Sequence, residues 1–351
     1  MKLLSTFLLS AFCFTAAADP LEHYNTNVCV PFELNGSSEF PDFYCRNIPQ
    51  WYLKNTGETS HRWKNGVYDF GVEPGGNTDA GIWLAWQKQP NANGVIVGVI
   101  DSGCDDTHQD LAGVVLGGVY ISDRGTPVMT EGQYQDFDPW AHGTGGVSII
   151  AAKRNGIGMV GVAPGAKVLV VATPRSFPEL TDGHVAKGII WLVDRGAQII
   201  CTSYGESYSQ SDDLFDAMVY AQLNNVIIVS AVRYGGSLED APSYPYTWNF
   251  PNYVAVTATT RTGVRYGVSA YGARVVGAPG LRIVKAGFNN SYNYGDGQSF
   301  SSPIVAGLLA LMIACDPGQP AWRYVQTLKN NAANYPLAGC VGRVNGSELE
   351  K

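Results

Sequence analysis

The run Val95-Ile-Val-Gly-Val-Ile100, ending on Asp101, decides the fold. It has no polar position and is dominated by β-branched side chains, the composition of a parallel strand covered on both faces. Outward from it the pattern alternates. An apolar strand is predicted over 168–172, and a helix from about Gly183, capped by Asp182 and stopped by Gly196. A strand follows over 199–201. Ser211 caps the next helix, with Asp212 and Asp213 in its first turn and Leu214, Phe215, Met218, Val219 and Gln222 at helical spacing, before a strand over 226–229. This βαβαβ order predicts an α/β fold with a central, mostly parallel β-sheet flanked by helices on both faces. Functional residues of such sheets gather beyond the strand carboxyl ends, so Asp101 and the loops after Cys201 and Val229 should share one crevice.

The strongest chemical signal lies far downstream, in Gly295-Asp-Gly-Gln-Ser-Phe-Ser-Ser-Pro-Ile-Val-Ala-Gly307 and its apolar continuation to Ala314. A helix is expected to begin close to Ser299, with Pro303 in its first turn, where a missing N–H does least harm. Ile304, Val305, Leu308, Leu309, Leu311 and Met312 recur at helical spacing, and Ala306, Gly307 and Ala310 complete a helix buried nearly all round. A serine at such a start sits among free backbone N–H groups able to stabilise a developing anion. Helix capping alone would also suit Ser299, Ser301 and Ser302.

The totals narrow the class. A chain of 351 residues with 45% apolar content buries a large core. Its net charge of −7 and pI near 5.2 leave no basic footprint, so no nucleic-acid partner is expected. Met1-Lys2, the apolar stretch over 3–15 and Ala16-Ala17-Ala18 form the three parts of a secretory signal over 1–18, with cleavage before Asp19. No later stretch is expected to span a membrane, and a secreted monomer is expected. Export implies an oxidising compartment, where Cys29, Cys45, Cys104, Cys201, Cys315 and Cys340 could pair completely. Several connectivities remain open. Sequence proximity favours Cys29 with Cys45 and Cys315 with Cys340, leaving Cys104 for Cys201. Residues 19–48 read as an irregular, cysteine-containing extension. Asn35, Asn289 and Asn345 fit glycosylation acceptors for a eukaryotic secretory route.

Asp101 at a strand end, His142 in a glycine-rich setting (His142-Gly-Thr-Gly-Gly146) and Ser299 at a helix start supply the parts of an acyl-transfer machine. The serine attacks, the imidazole takes its proton, and the carboxylate fixes the tautomer. Glycines beside the histidine allow another backbone to approach closely.

Here the chain resembles the subtilisin-like serine proteases, the subtilases. Ile100-Asp-Ser-Gly103 with Thr107-His-Gln-Asp-Leu111, then His142-Gly-Thr-Gly145, then Gly297-Gln-Ser-Phe-Ser-Ser-Pro303 match the family's three motifs in order. Val160-Gly-Val-Ala-Pro-Gly-Ala166, Tyr244-Pro245 and the strand expected over 253–256 add to the likeness. So does Ser203-Tyr204-Gly205, similar to the family's substrate-pairing strand. Gln50-Trp-Tyr-Leu-Lys-Asn-Thr-Gly57 looks like the opening of a kexin-like catalytic domain. The resemblance implies a subtilisin-like catalytic domain over 49–340, a tail over 341–351, and hydrolysis of peptide or protein substrates by Ser299, His142 and Asp101. It also implies calcium, held by Asp110 and by the loop Lys153-Arg-Asn-Gly-Ile-Gly-Met159 through Asn155 and backbone carbonyls. Gly156-Ile-Gly-Met-Val-Gly161 spells a dinucleotide fingerprint, but no strand precedes it and Pro164 blocks a helix, so nucleotide binding is set aside.

Some residues depart from the family. Its members usually carry Ala-Gly-Asn after the strand that corresponds to 226–229, and the asparagine amide helps bind the oxyanion. Counting from that strand puts Tyr234 at the asparagine's position and Arg233 at the glycine's, where the guanidinium could crowd the pocket. Losing one such donor costs about 10²- to 10³-fold in rate, which suits a slow protease or a pseudoprotease that only holds peptides. An esterase or transpeptidase using the same triad is a further reading. About thirty residues separate Asp19 from the kexin-like opening, too few for the family's folding propeptide, and no second β domain follows the Ser299 helix. Glu206, Glu239 and Asp240 stand in loops near the expected cleft, where cleavage after basic residues would need them.

Overall fold

The computed structural model describes residues 28–30, 46–48, 50–53, 79–122, 128–173, 180–204, 207–334 and 342–344. The signal over 1–18, Asn35, Asn345, Gly205, Glu206 and Cys340 lie outside them, as do the side chains of Cys29 and Cys45. Near the amino end, β1 (Val28–Val30) and β2 (Arg46–Ile48) pair antiparallel within the expected irregular extension. Then come α1 (Ile82–Lys88), β3 (Ile96–Asp101), β4 (Val115–Ile121), β5 (Met129–Glu131) and α2 (His142–Ala151). After these follow β6 (Lys167–Ala172), α3 (Asp182–Asp194), β7 (Ile199–Thr202), α4 (Asp212–Leu223), β8 (Ile227–Ala231) and β9 (Tyr253–Thr259). The chain closes with β10 (Val275–Pro279), the antiparallel pair β11 (Ile283–Ala286) and β12 (Tyr292–Gly295), α5 (Gln298–Cys315), α6 (Ala321–Ala333) and β13 (Gly342–Arg343).

The central sheet runs β13-β10-β9-β8-β7-β3-β6-β4-β5, and every neighbouring pair is parallel except β4 with β5 at one edge. This is the predicted α/β sheet, with the 95–100 run inside it as β3, between β7 and β6. Strand side chains alternate between faces, so one apolar run feeds two cores. Val97, Val99, Val170, Ile199, Cys201 and Val229 pack with α1, α2, α5 and α6. Ile100, Val171, Ile200 and Ile228 pack with α3 and α4 on the other face. β13 extends the sheet past residue 340, and the N–H of buried Val344 donates to the Gly277 carbonyl at 2.8 Å.

Helix ends refine the sequence reading. Ser211 Oγ accepts the Leu214 N–H at 3.3 Å and caps α4 as expected. In α3 the cap is Thr181 instead of Asp182; Asp182 is the first helical residue and accepts the Tyr204 hydroxyl at 2.6 Å. Gly196 ends that region at φ +80°, a conformation that favours glycine. α5 starts at Gln298, which puts Pro303 beyond the first turn. By length and mean hydropathy of 1.6, α5 could cross a bilayer, contrary to expectation. It is instead the central core helix, with Leu308, Leu309 and Leu311 at most 1% exposed. Truncating one of these to alanine costs about 2–5 kcal/mol.

Candidate active site

Asp101 ends β3 and His142 opens α2, both at the carboxyl edge of the sheet. His142 Nδ1 lies 2.7 Å from Asp101 Oδ1, with side-chain exposures of 28% and 6%. A carboxylate has no proton to give, so Nδ1–H is the donor and Nε2 keeps its lone pair. Burial alone would raise the Asp101 carboxyl. The neighbouring imidazole, its hydrogen bond, the Ser102 N–H at 2.7 Å and the Ser203 hydroxyl outweigh that and hold Asp101 below the ordinary carboxylate range. For His142 burial pulls downward and Lys285 adds to it. The charge and hydrogen bond of Asp101, with Asp138 behind them, prevail and raise it above the ordinary histidine value.

Backbone contact sets this geometry. A Cβ on Gly143 would stand 2.2 Å from the Gly103 carbonyl oxygen, so the turn after Asp101 and the start of α2 meet peptide to peptide. One side chain ties them further. Asp136 Oδ1 accepts the Ser102 hydroxyl at 2.8 Å, and its Oδ2 accepts the Thr144 N–H at 2.8 Å and hydroxyl at 2.6 Å. Ser102 Oγ in turn accepts the Gly143 N–H at 2.9 Å. The sequence reading missed Asp136, although an Asp-Phe-Asp loop just before a glycine-flanked histidine is a signal for such a tether.

Ser299 is the second residue of α5 and half-buried. Gly297, at φ +119°, adopts a backbone that favours glycine and turns the chain into the helix. The next side chain, Phe300, sets its ring 5.0 Å from the His142 ring, centroid to centroid. Pro303 has no N–H for the Ser299 carbonyl, and Ser203 Oγ donates to that carbonyl at 3.3 Å. Ser203 thus touches both Asp101 and the Ser299 turn. Ser299 Oγ makes no hydrogen bond to a described residue; such bonds are often loose until substrate arrives. Its backbone N–H belongs to the first turn, where α5 has no carbonyl to accept it.

Tyr234 follows β8, is 67% exposed, and its hydroxyl has no hydrogen-bond partner among the described residues. That oxygen lies 3.9 Å from where a Cβ on Gly297 would be, beside the Ser299 turn. Arg233 does not reach for the cleft. Its guanidinium donates to the carbonyls of Gly235 at 2.6 Å and Ser237 at 3.1 Å and to Ser243 Oγ at 3.2 Å, closing its own loop. Glu239 is likewise occupied, by the Tyr246 hydroxyl, the Ser237 hydroxyl at 2.9 Å and the Ala273 N–H at 2.8 Å.

Asp110 and Asn155 also come together, but as acceptor and donor. Asn155 Nδ2 donates to Asp110 Oδ1 at 3.0 Å, while Asn155 Oδ1 accepts the Ile157 N–H at 3.1 Å. Asp110 Oδ2 accepts the Met159 N–H at 2.9 Å and the Tyr292 hydroxyl at 2.7 Å. A hard cation needs converging oxygen acceptors, and this carboxylate is ringed by donors, so the arrangement does not fit calcium. Among the described residues no cluster of three His, Cys, Asp or Glu side chains could hold a metal either.

The expected pairings of Cys104 with Cys201 and of Cys315 with Cys340 are corrected. Cys104, Cys201 and Cys315 are free. Cys201 sits on β7 with its thiol toward Ser302, and Cys104 is buried in the turn after Asp101 beside Asp105, Asp106 and Asp136. Burial pushes both thiols well up. Cys315 is exposed at the end of α5.

Residues 92–345 match the subtilase family. Thermitase from Thermoactinomyces vulgaris is 31% identical over 259 residues, 72% of this chain and 87% of that protein. Subtilisin Savinase from Lederbergia lenta is 32% identical over 246 residues, 69% of this chain and 84% of that one. Fervidolysin from Fervidobacterium pennivorans is 31% identical over 279 residues, 71% of this chain, and there the match spans only 39% of the relative's length. Among solved structures, a protease from Pseudoalteromonas arctica superposes with a TM-score of 0.68 at 24% identity, covering 77% of this chain and 93% of that one, a likeness of fold. With the family matched over most of its length and the sheet order to go with it, the chain belongs to the subtilases.

Proposed function

We propose that the protein is a secreted serine endopeptidase that cleaves peptide bonds through an acyl-enzyme on Ser299. The observation that carries this reading is the 2.7 Å contact of His142 Nδ1 with Asp101, on a histidine whose ring also packs, tilted, against Phe300 in the first turn of α5. In it, Nε2 takes the Ser299 proton as Oγ attacks the carbonyl carbon, and Asp101 stabilises the imidazolium. The same proton goes to the departing amine. Water then repeats the sequence against the acyl ester. The Ser299 N–H and the Tyr234 hydroxyl receive the oxyanion, and the segment Ser203-Tyr204-Gly205 pairs with the substrate backbone. The leader over 1–18 directs the chain to export. Glu239, its oxygens already engaged, gives no support to cleavage after basic residues.

A pseudoprotease that binds peptides without turnover is the second reading, favoured by a phenol where the family has an amide and by the unbonded Ser299 hydroxyl. A fluorophosphonate probe separates the two. Labelling of the wild type at Ser299 and its loss in Ser299→Ala support the protease; a folded wild type that stays unlabelled sinks it.

A further inference from the structure

Lys285 is a charged residue in the core. It lies on β11 and is 3% exposed. Its ammonium group donates to the carbonyl of Trp140 at 2.7 Å and to that of Ala141 at 3.2 Å, the two residues immediately before His142. Ala141 caps α2 with φ +50°, a left-handed conformation that alanine adopts only when its surroundings impose it. The space for the lysine stem is built in, since a Cβ on Gly145 would stand 2.4 Å from Lys285 Cδ. On its other side the Phe300 ring centroid is 5.7 Å from Nζ, and the same ring faces His142. A buried ammonium is costly unless charge and hydrogen bonds compensate it, so a strand position that would accept an apolar side chain carries one for a reason beyond packing.

We propose that Lys285 is a positioning residue for the catalytic base: its ammonium fixes the Trp140–Ala141 carbonyls, and through them the imidazole of His142. The proposal rests on the reading of His142 as base. The titratable groups around Lys285 are Asp101 from β3, Asp136 and Asp138 from the loop before α2, and His142 itself. Burial pulls the ammonium down to about 8, against the pull of the three aspartates. Its positive charge works on His142 in the direction opposite to Asp101. The base therefore sits between a carboxylate that orients it and raises its affinity for a proton, and a cation that limits that rise.

The test combines kinetics with nitrogen-15 NMR of His142. Lys285→Met removes donor and charge, and is expected to lower kcat by roughly 10- to 100-fold, the scale of a misplaced reacting group, with KM unchanged. It should also move the acid limb of the kcat/KM profile to higher pH, because the imidazole then holds its proton longer. Lys285→Gln keeps a donor for the carbonyls without the charge, and should recover part of kcat while the limb stays displaced. In wild type, the His142 ring nitrogens should show a second inflection near 8 as Lys285 loses its proton, absent from both variants. A limb and inflections that ignore residue 285 would overturn the proposal, as would a kcat loss that tracks lost thermal stability alone. The wild-type titration alone decides if neither variant folds. Because the NMR readout needs no turnover, a wild type that resists the fluorophosphonate but shows the coupled titration would sink the protease reading and leave the Lys285–His142 coupling standing.

Discussion

Asp101 and Asp110 belong to one stretch of chain, and both carboxylates are buried, yet their surroundings differ in kind. Asp101 faces an imidazole that is partly open to the cleft. Asp110 faces an amide, a backbone N–H and a phenol, none of which exchanges a proton near neutral pH. Burial of a carboxylate is thus satisfied in either of two ways, and only one is chemically usable. A donor that can gain and lose a proton, and that solvent or substrate can reach, turns a buried charge into a catalytic orienter. Fixed neutral donors turn it into a structural knot.

The largest effect expected from this contrast is at Asp101. Asp101→Asn should lower kcat by about 10⁴-fold while the fold, read by circular dichroism, is unchanged. A loss of only a few-fold would mean that the imidazole is oriented by something else. Tyr234→Phe comes next: if the phenol binds the oxyanion, kcat should fall by about 10²-fold with KM held, and an unchanged kcat would remove Tyr234 from the site. The pH profile sharpens the comparison from the other side. If His142 is the base it must be neutral to act, and its proton affinity is raised, so activity should fall as pH drops through an acid limb above the ordinary histidine value of 6.5. In Asp101→Asn that limb should move down, since the carboxylate that raised it is gone. The smallest effect belongs to Asp110. Tyr292→Phe should cost about 2 kcal/mol, read as a lower Tm with kcat/KM intact. A chelator should leave Tm unchanged, and a large drop would show a cation where the hydrogen bonds now stand.

Much of the fold was legible in the chain because β-branched runs and glycine stops speak locally. The 95–100 run became β3, and Ser211 capped α4 as its neighbours suggested. The places of Asp101, His142 and Ser299 in the fold were legible too, since a strand end, glycine neighbours and a helix start mark them without knowledge of the fold. Their exposure, spacing and partners come from tertiary contact. Lys285 shows why: in sequence it is one cation in an apolar strand, and only β11 lying under α2 makes it a buried one. The pairing of Cys104 with Cys201 failed for a related reason. Even number and separation along the chain say nothing of where thiols point, and Cys201 points at α5. Pro303 was misplaced because the first-turn rule assumes that nothing else will satisfy the carbonyl it orphans, whereas Ser203 does.

The Gly103–Gly143 contact has a mechanical meaning. Where two main chains touch directly, their separation is set by van der Waals contact between backbone atoms and not by which way a side chain happens to swing. Heating will let loops wander and rotamers scatter well before that junction widens, so the spacing between the acid and its imidazole should be among the last dimensions of the molecule to blur.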